Sequence, residues 1–377
     1  MFALLALVLA PQEPVLTPDA EARWVPFELT AYNQIRFTMQ AGGRDATAIL
    51  DTGISHTVIA RPFASVLGLK RQGSGRASAI GGTIAMRWAA APQLVVGGLS
   101  RSGGRVAVAE MPARPGQSAD IYVGADLLGC CALDIDYAAR RFRILPSGRM
   151  PFTGDRAPLS RMRGSGVFVT ELTIGGHRLR PVLVDTGDGS WLTLTREAWA
   201  AARPPAARVT TTLGYGAGGA LISEAAILPS VMLGNSAGVE AEVRIEAANG
   251  FSAGTGTAGR IGSGLLMRYR VLLDPRAGRM MLRAGESADA PVLRSTSGLL
   301  LDYDQGALKV LHVMRGSPAE EAGWKADDRI CSADGVSARD DVESDGKVDW
   351  AVGAPGRTVR LGACDGREMP ITLRKFY

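Results

Sequence analysis

Apolar and polar residues alternate with a period near two through much of this chain. Ile35 to Ala41 reads IRFTMQA, and Phe168 to Ile174 reads FVTELTI, the pattern of strands with one buried face. A Gly-Gly pair follows each run. A second, more apolar run then ends at an aspartate: RDATAILD closes on Asp51 and HRLRPVLVD on Asp185. Two strands joined by a short glycine turn predict a β-hairpin. The turn glycines Gly43 and Gly176 precede their aspartates by 51 − 43 = 8 and 185 − 176 = 9 residues.

The correspondence continues downstream. IYVGADLLG holds Gly124 and RIGSGLLMR holds Gly262, at 124 − 51 = 73 and 262 − 185 = 77 residues after the aspartates. Twelve residues beyond each glycine stands another aspartate, Asp136 or Asp274, opening the matching tails DYAARRFRIL and DPRAGRMMLR. Landmarks in one order at nearly one spacing define an internal repeat. Residues 27–146 and 160–284 are read as two copies of one β-rich unit. Copies related by a pseudo-twofold axis present the same element to one another, and here that element is an aspartate at the end of a buried strand. Glycine follows because the backbone must turn tightly and approach its twin closely.

Composition narrows the picture. A length of 377 residues suggests two or three domains at roughly 150 residues each, and 47 glycines suit a turn-rich β protein. The net charge is +5, but no dense basic cluster is interleaved with aromatics, so a nucleic-acid partner is not expected. Phe2 to Ala10 is apolar yet too short to span a membrane. It reads as the core of a secretory signal within residues 1–20, with Val8-Leu9-Ala10 as a loose cleavage site, which points to a periplasmic or secreted protein. A buried N-terminal strand is the other reading. Cys130, Cys131, Cys331 and Cys364 lack C-x-x-C spacing, so zinc is not expected. In a strand, adjacent Cys130 and Cys131 would face opposite sides, one of them a buried small hydrophobe. A Cys331–Cys364 disulfide is an even choice in an oxidising compartment. His56, His177 and His312 are scattered and suit neither a metal site nor a Ser-His-Asp triad.

LDTGISHTVI and VDTGDGSWLTL, each with a distal apolar-apolar-Gly element, resemble the pepsin/retropepsin superfamily of aspartic proteases over some 250 residues. The resemblance implies a mainly β, two-lobed pseudo-dimer of β-barrels. It implies a catalytic dyad of Asp51 and Asp185, with Thr52 and Thr186 locking the two turns by hydrogen bonds. Gly53 and Gly187 would complete the turns, and the strands ending at Val123-Gly124 and Ile261-Gly262 would pass beneath them. Two adjacent carboxyls cannot both ionise cheaply, so such a pair holds one proton. It then contains a base to activate water and an acid to protonate an amide carbonyl, and needs no metal or cofactor. Gly-rich hairpins in matching places, with Gly81 and Gly82 at one tip and Tyr215 and Gly216 near the other, are candidate flaps over an extended substrate. The alternative is that they are plain surface hairpins. Two departures stand out: Ile54 follows Gly53 and Asp188 follows Gly187, where a small or hydroxyl residue is usual. Asp188 would raise the upper pKa of the dyad if it points inward. The other reading of both turns is purely structural.

After a Ser/Ala-rich linker, residues 285–297, the pattern changes. The run V-x-x-V-x-x-G-S-P-A-x-x-A-G, Val310 to Gly323, is similar to bacterial PDZ domains. It implies a small α+β unit over residues 298–377, with Gly298, Leu299, Leu300 and Leu301 as the loop that cradles a peptide carboxylate. Asp327 replaces a usual glycine, and the loop lacks its second glycine. Two functions follow from these readings: a monomeric aspartic endopeptidase acting on polypeptides, or a catalytically silent peptide-binding scaffold.

Overall fold

The computed structural model describes residues 13–111, 118–341 and 348–377. The signal-like apolar run and its cleavage site lie outside the described residues. Val15–Leu16 already pairs with Leu99 and Ser100 as the edge of a sheet.

The chain is mainly β, and the described residues form four sheets. Both predicted hairpins are present. Strand Ile35–Ala41 pairs with Arg44–Leu50, and Phe168–Ile174 pairs with His177–Asp185. Their turns, Gly42–Gly43 and Gly175–Gly176, have positive φ throughout, at 58° and 75° and at 55° and 81°. That backbone matches the right-handed twist of the flanking strands and favours glycine.

In each copy the strand that ends at the aspartate pairs in parallel with a distal strand. Leu50 sits opposite Val123, and Asp185 opposite Gly262. The distal strand is flanked on its other side by an antiparallel strand, Val58–Ala60 in one copy and Leu192–Leu194 in the other. Those two strands are offset by 192 − 58 = 134 residues, the same as 185 − 51 = 134. The repeat is therefore one of hydrogen-bonding order, and not of sequence spacing alone.

The two tails meet in a shared six-stranded sheet. Ala132–Asp136 pairs with Arg141–Leu145 on one side and with Tyr269–Asp274 on the other, placing Leu133 opposite Leu273 and Ile135 opposite Val271. Asp136 and Asp274 each accept the amide three residues on, from Ala139 and Ala277, at 3.1 Å. At the join, fully buried Asp134 takes Arg143 from its own copy and both Nε and Nη2 of Arg270 from the other, at 2.8–3.0 Å. Buried charge is tolerable there because it is paired and fully hydrogen-bonded. A single apolar cluster runs through both copies and includes Phe37, Phe142, Phe168 and Leu273.

The cysteine pair corrects one expectation. Cys130 and Cys131 are joined to each other in a disulfide. They lie in a turn after the short helix Ala125–Leu128, where side chains converge, and not in a strand, where they would alternate. Cys131 is buried, but not as a free thiol. Cys331 and Cys364 form a second disulfide.

Residues 285–297 carry no regular structure, yet they are tied down. Arg268 donates to the carbonyls of Ser287, Ala288 and Ala290, and the Val292 amide donates to Glu240. Beyond them, strands Leu299–Asp304, Ala307–Val313, Arg329–Ala333, Thr358–Ala363 and Glu368–Thr372 form a sheet with its own apolar core around Trp324, Val359 and Leu373. Helix Pro318–Glu321 is capped by Ser317, whose hydroxyl accepts the Glu320 amide at 3.1 Å. Asp327 occupies a left-handed position, φ 70°, which explains why glycine is the easier residue there, and it pairs with Lys309 at 2.8 Å.

Candidate active site

The two Asp-Thr-Gly turns meet at the junction of the copies. The Thr52 amide donates to Thr186 Oγ1 at 3.0 Å, and the Thr186 amide returns the bond to Thr52 Oγ1 at 3.1 Å. Each hydroxyl donates across the junction to the carbonyl before the opposite aspartate, Thr52 to Val184 at 2.6 Å and Thr186 to Leu50 at 2.8 Å. Both threonines are fully buried. Four bonds thus fix one turn relative to the other with every donor and acceptor satisfied, as burial requires.

This lock sets each carboxyl group against the glycine of the opposite turn, Asp185 at Gly53 and Asp51 at Gly187. Gly53 and Gly187 permit the approach. A Cβ at Gly53 would stand 2.3 Å from Asp185 Cγ, and one at Gly187 would stand 2.3 Å from Asp51 Cγ. Each carboxylate accepts its own turn's glycine amide, at 3.1 Å for Gly53 and 3.0 Å for Gly187, and Asp185 also accepts the Asp188 amide at 3.1 Å.

Gly124 and Gly262 pass under the turns. The Ala125 amide donates to Ile54 O at 2.9 Å, and the Ser263 amide donates to Asp188 O at 2.7 Å. A Cβ at Gly124 would lie 2.7 Å from the His56 carbonyl carbon, and one at Gly262 would lie 2.2 Å from Ser190 O. Either would push the turn off its floor.

Burial dominates the electrostatics. Desolvation pushes Asp51 up to about 6, against the pull of the Gly53 amide and the Asp185 hydrogen bond. Desolvation likewise raises Asp185 well above the ordinary carboxylate range, reinforced by the charges of Asp51 and Asp188. Each carboxyl therefore holds a proton more readily than a free aspartate does, and the apparent pKa values belong to both groups together.

The predicted flaps are hairpins whose tips touch. Arg71–Ala79 pairs with Gly82–Ala90, and Thr210–Gly216 pairs with Gly219–Leu233. The Gly218 amide donates to Ile80 O at 2.9 Å. A Cβ on Gly81 would reach 2.5 Å from Gly219 O, and one on Gly216 would reach 2.1 Å from Ile80 O. Gly82 faces Gly218, while Tyr215 lies one residue down the stem and is partly exposed. Gly218 lies at the contact itself.

Four further contributors had no motif to announce them. Asn33 Nδ2 and Gln34 Nε2, from the first copy, donate to Gly189 O at 3.1 Å and Gly187 O at 2.7 Å. Upstream of the glycine turn the copies are offset by 176 − 43 = 133, so the corresponding residues are Gly166 and Val167, and comparing the copies cannot reveal them. Arg260 and Glu246, both almost fully buried, join Asp188 in an ion-pair chain.

The predicted carboxylate cradle lies in the C-terminal sheet unit. Gly298 and Leu299 amides donate to the hydroxyls of Ser295 and Ser297 at 2.9 and 3.2 Å, and Leu300 and Leu301 continue into the first strand.

Residues 37–127, which include the first Asp-Thr-Gly and Gly124, match the aspartyl protease family model. The match spans 127 − 37 + 1 = 91 of 377 residues and stops before the second Asp-Thr-Gly. No curated protein matches the chain. The first copy is thus similar to aspartyl proteases by sequence.

Proposed function

We propose that this chain is an aspartic endopeptidase in which Asp51 and Asp185 activate one water molecule for attack on a peptide carbonyl. The observation that carries the reading is the reciprocal threonine lock, which sets each carboxyl group against the glycine of the opposite turn. A buried pair sharing a proton supplies a base for the water and an acid for the carbonyl oxygen in one place. No covalent intermediate is needed. The substrate is an extended polypeptide lying between the carboxyls and the two hairpins. Their tips must part to admit it, breaking the backbone hydrogen bond from Gly218 to Ile80 and the glycine packing beside it. Both aspartates come from one chain, which supports a monomer as the working unit.

The C-terminal unit is proposed to be a PDZ domain that docks substrate or partner peptides. An incoming carboxylate would replace the hydroxyls of Ser295 and Ser297 at the Gly298 and Leu299 amides. The apolar N-terminal run and two disulfides support a periplasmic or secreted location.

The test is cleavage of a mixed peptide library scanned from pH 3 to pH 8, with Asp51→Asn and Asp185→Asn as controls. Each variant is expected to lose at least about a thousand-fold in kcat/KM, toward the upper end for a general acid–base group, with an unchanged circular dichroism spectrum. Undiminished cleavage by either variant sinks the mechanism. Absence of cleavage by the native chain at every pH leaves the peptide-binding scaffold.

A further inference from the structure

Behind the second turn lies a charged assembly that the first turn lacks. Asp188 caps its own loop by accepting the Ser190 amide at 2.9 Å, and its other oxygen takes Arg260 Nε. Arg260, 4% exposed, is held on its far side by Glu246, 3% exposed, and by Ser252 Oγ at 3.3 Å. Glu246 in turn accepts the Ser252 amide at 2.9 Å. The Phe251 ring lies 5.8 Å from the guanidinium. Asp188 thus sits between the dyad and a fixed cation. Its backbone amide bonds Asp185, so the assembly adjoins one carboxyl of the dyad and not the other. At the matching positions the first copy has Ile54 and Tyr122, which lie in an apolar cluster with Ile49 and Val58.

The geometry assigns the Asp188–Arg260–Glu246 chain a positioning role: it keeps Asp188 ionised beside Asp185, so the dyad's proton resides on Asp185 and Asp51 is left as the base. This inference rests on the endopeptidase reading only for its consequence in catalysis. The proton's location is a property of the folded chain.

The physical reason is proximity. Burial raises Asp185 most and the charges of Asp51 and Asp188 add to it, while Arg260 and the Asp188 backbone amide oppose the proton there. Burial alone would raise Asp188, but Arg260, the Ser190 amide and Arg244 together hold it below the ordinary value. Asp188 bonds Asp185 through its amide, whereas on Asp51 its charge ranks behind burial, the Gly53 amide and Asp185.

Titration of the native chain labelled with 13C at aspartate carboxyls reads this directly and requires no cleavage. Asp185 is expected to keep the shift of a protonated acid to higher pH than Asp51, while Asp188 stays ionised above pH 5. Asp188→Asn removes the neighbouring charge with little change of shape, and should lower the dyad's upper apparent pKa by about one unit, the low end for a close charge. Arg260→Met strands Glu246, so the double variant Arg260→Met/Glu246→Gln is used; it should make Asp188 titrate as a third carboxyl. In a cleavage assay the alkaline limb of the Asp188→Asn profile moves down by the same amount. An unshifted upper pKa in Asp188→Asn, or a proton found on Asp51, overturns the assignment. Failure of the native chain to cut peptides bears on the endopeptidase proposal and leaves the labelled-carboxyl result standing.

Discussion

The two copies agree at their Asp-Thr-Gly turns and differ one layer behind them. At the junction the threonine lock, the glycines and the carboxyl groups are the same twice over. One layer back, Ile54 and Tyr122 rest in an apolar cluster, whereas Asp188 and Arg260 join a buried ion-pair chain. Glu110 and Glu246 make the same point. Each follows the strand that pairs with the one after its turn, but Glu110 pairs with exposed Arg61 while Glu246 is buried against Arg260. A symmetric interface constrains both partners at once, because any change must suit its own image. Positions off the axis carry no such constraint. They are where a duplicated site can become asymmetric and give its two carboxyls different roles.

The hairpins differ in the same manner. The first is anchored within its own copy: Trp88 packs edge-on against His56 at 5.0 Å, with Arg105 4.2 Å from its ring. The second is anchored to the C-terminal unit. Thr211 Oγ1 meets His312 Nε2 at 2.9 Å, Thr210 Oγ1 donates to Arg315 O at 2.7 Å, and Arg315 reaches Glu224 at 2.9 Å.

The largest test of the comparison is of its symmetric part. Thr52→Val and Thr186→Val each remove a buried hydroxyl that both donates and accepts. Each is expected to cost about 2 to 5 kcal/mol, since two buried groups lose their partners. Chemical denaturation should show losses equal to within about 1 kcal/mol. A large loss from one and none from the other breaks the claim that the lock is reciprocal.

The carboxyls come next. Their native pKa values lie above the unfolded ones, so the native state keeps a proton that the unfolded chain releases. Stability from this source is therefore lost as pH rises, between 3.8 and about 6 for Asp51 and to higher pH for Asp185. Asp51→Asn and Asp185→Asn should each raise Tm at pH 7 by a few degrees, at about 2 to 4 °C per kcal/mol, and change it little at pH 4. The gain should be larger for Asp185→Asn. Equal gains at both pH values would show that the carboxyls are not strained by ionisation.

The smallest effect concerns the anchor of the second hairpin. Arg315 is the main cause of the lowered Glu224 pKa, but both groups are partly exposed. Arg315→Ala should cost below about 1 kcal/mol, and less at high salt. Hydrogen exchange should nevertheless quicken in Thr210–Gly216 and not in Arg71–Ala79. Equal quickening in both hairpins would contradict separate anchoring.

Much of the frame was legible before any coordinates. Alternation marked the strands, paired glycines marked the turns, and repeated spacing marked the twin sites. The cysteines show where local reading failed: Cys130 and Cys131 fell in an apolar stretch that reads as strand, and only the turn after Ala125–Leu128 made them neighbours in space. Asn33 and Gln34 were invisible for another reason. Their partners are backbone carbonyls 156 and 153 residues away, and a carbonyl leaves no mark in a sequence.

The residues alone specify a β architecture and an Asp-Thr-Gly at the end of each of two similarly spaced strands. Those properties follow from residue type and spacing, which persist whatever the chain's path. Tertiary packing was needed to set each carboxyl against the opposite turn, to bring the hairpin tips together, and to turn Asp188 toward Arg260 while its amide reaches Asp185. Those outcomes depend on which groups are brought out of water together. Charge and hydrogen bonding become decisive only once burial has removed the solvent that would otherwise satisfy them.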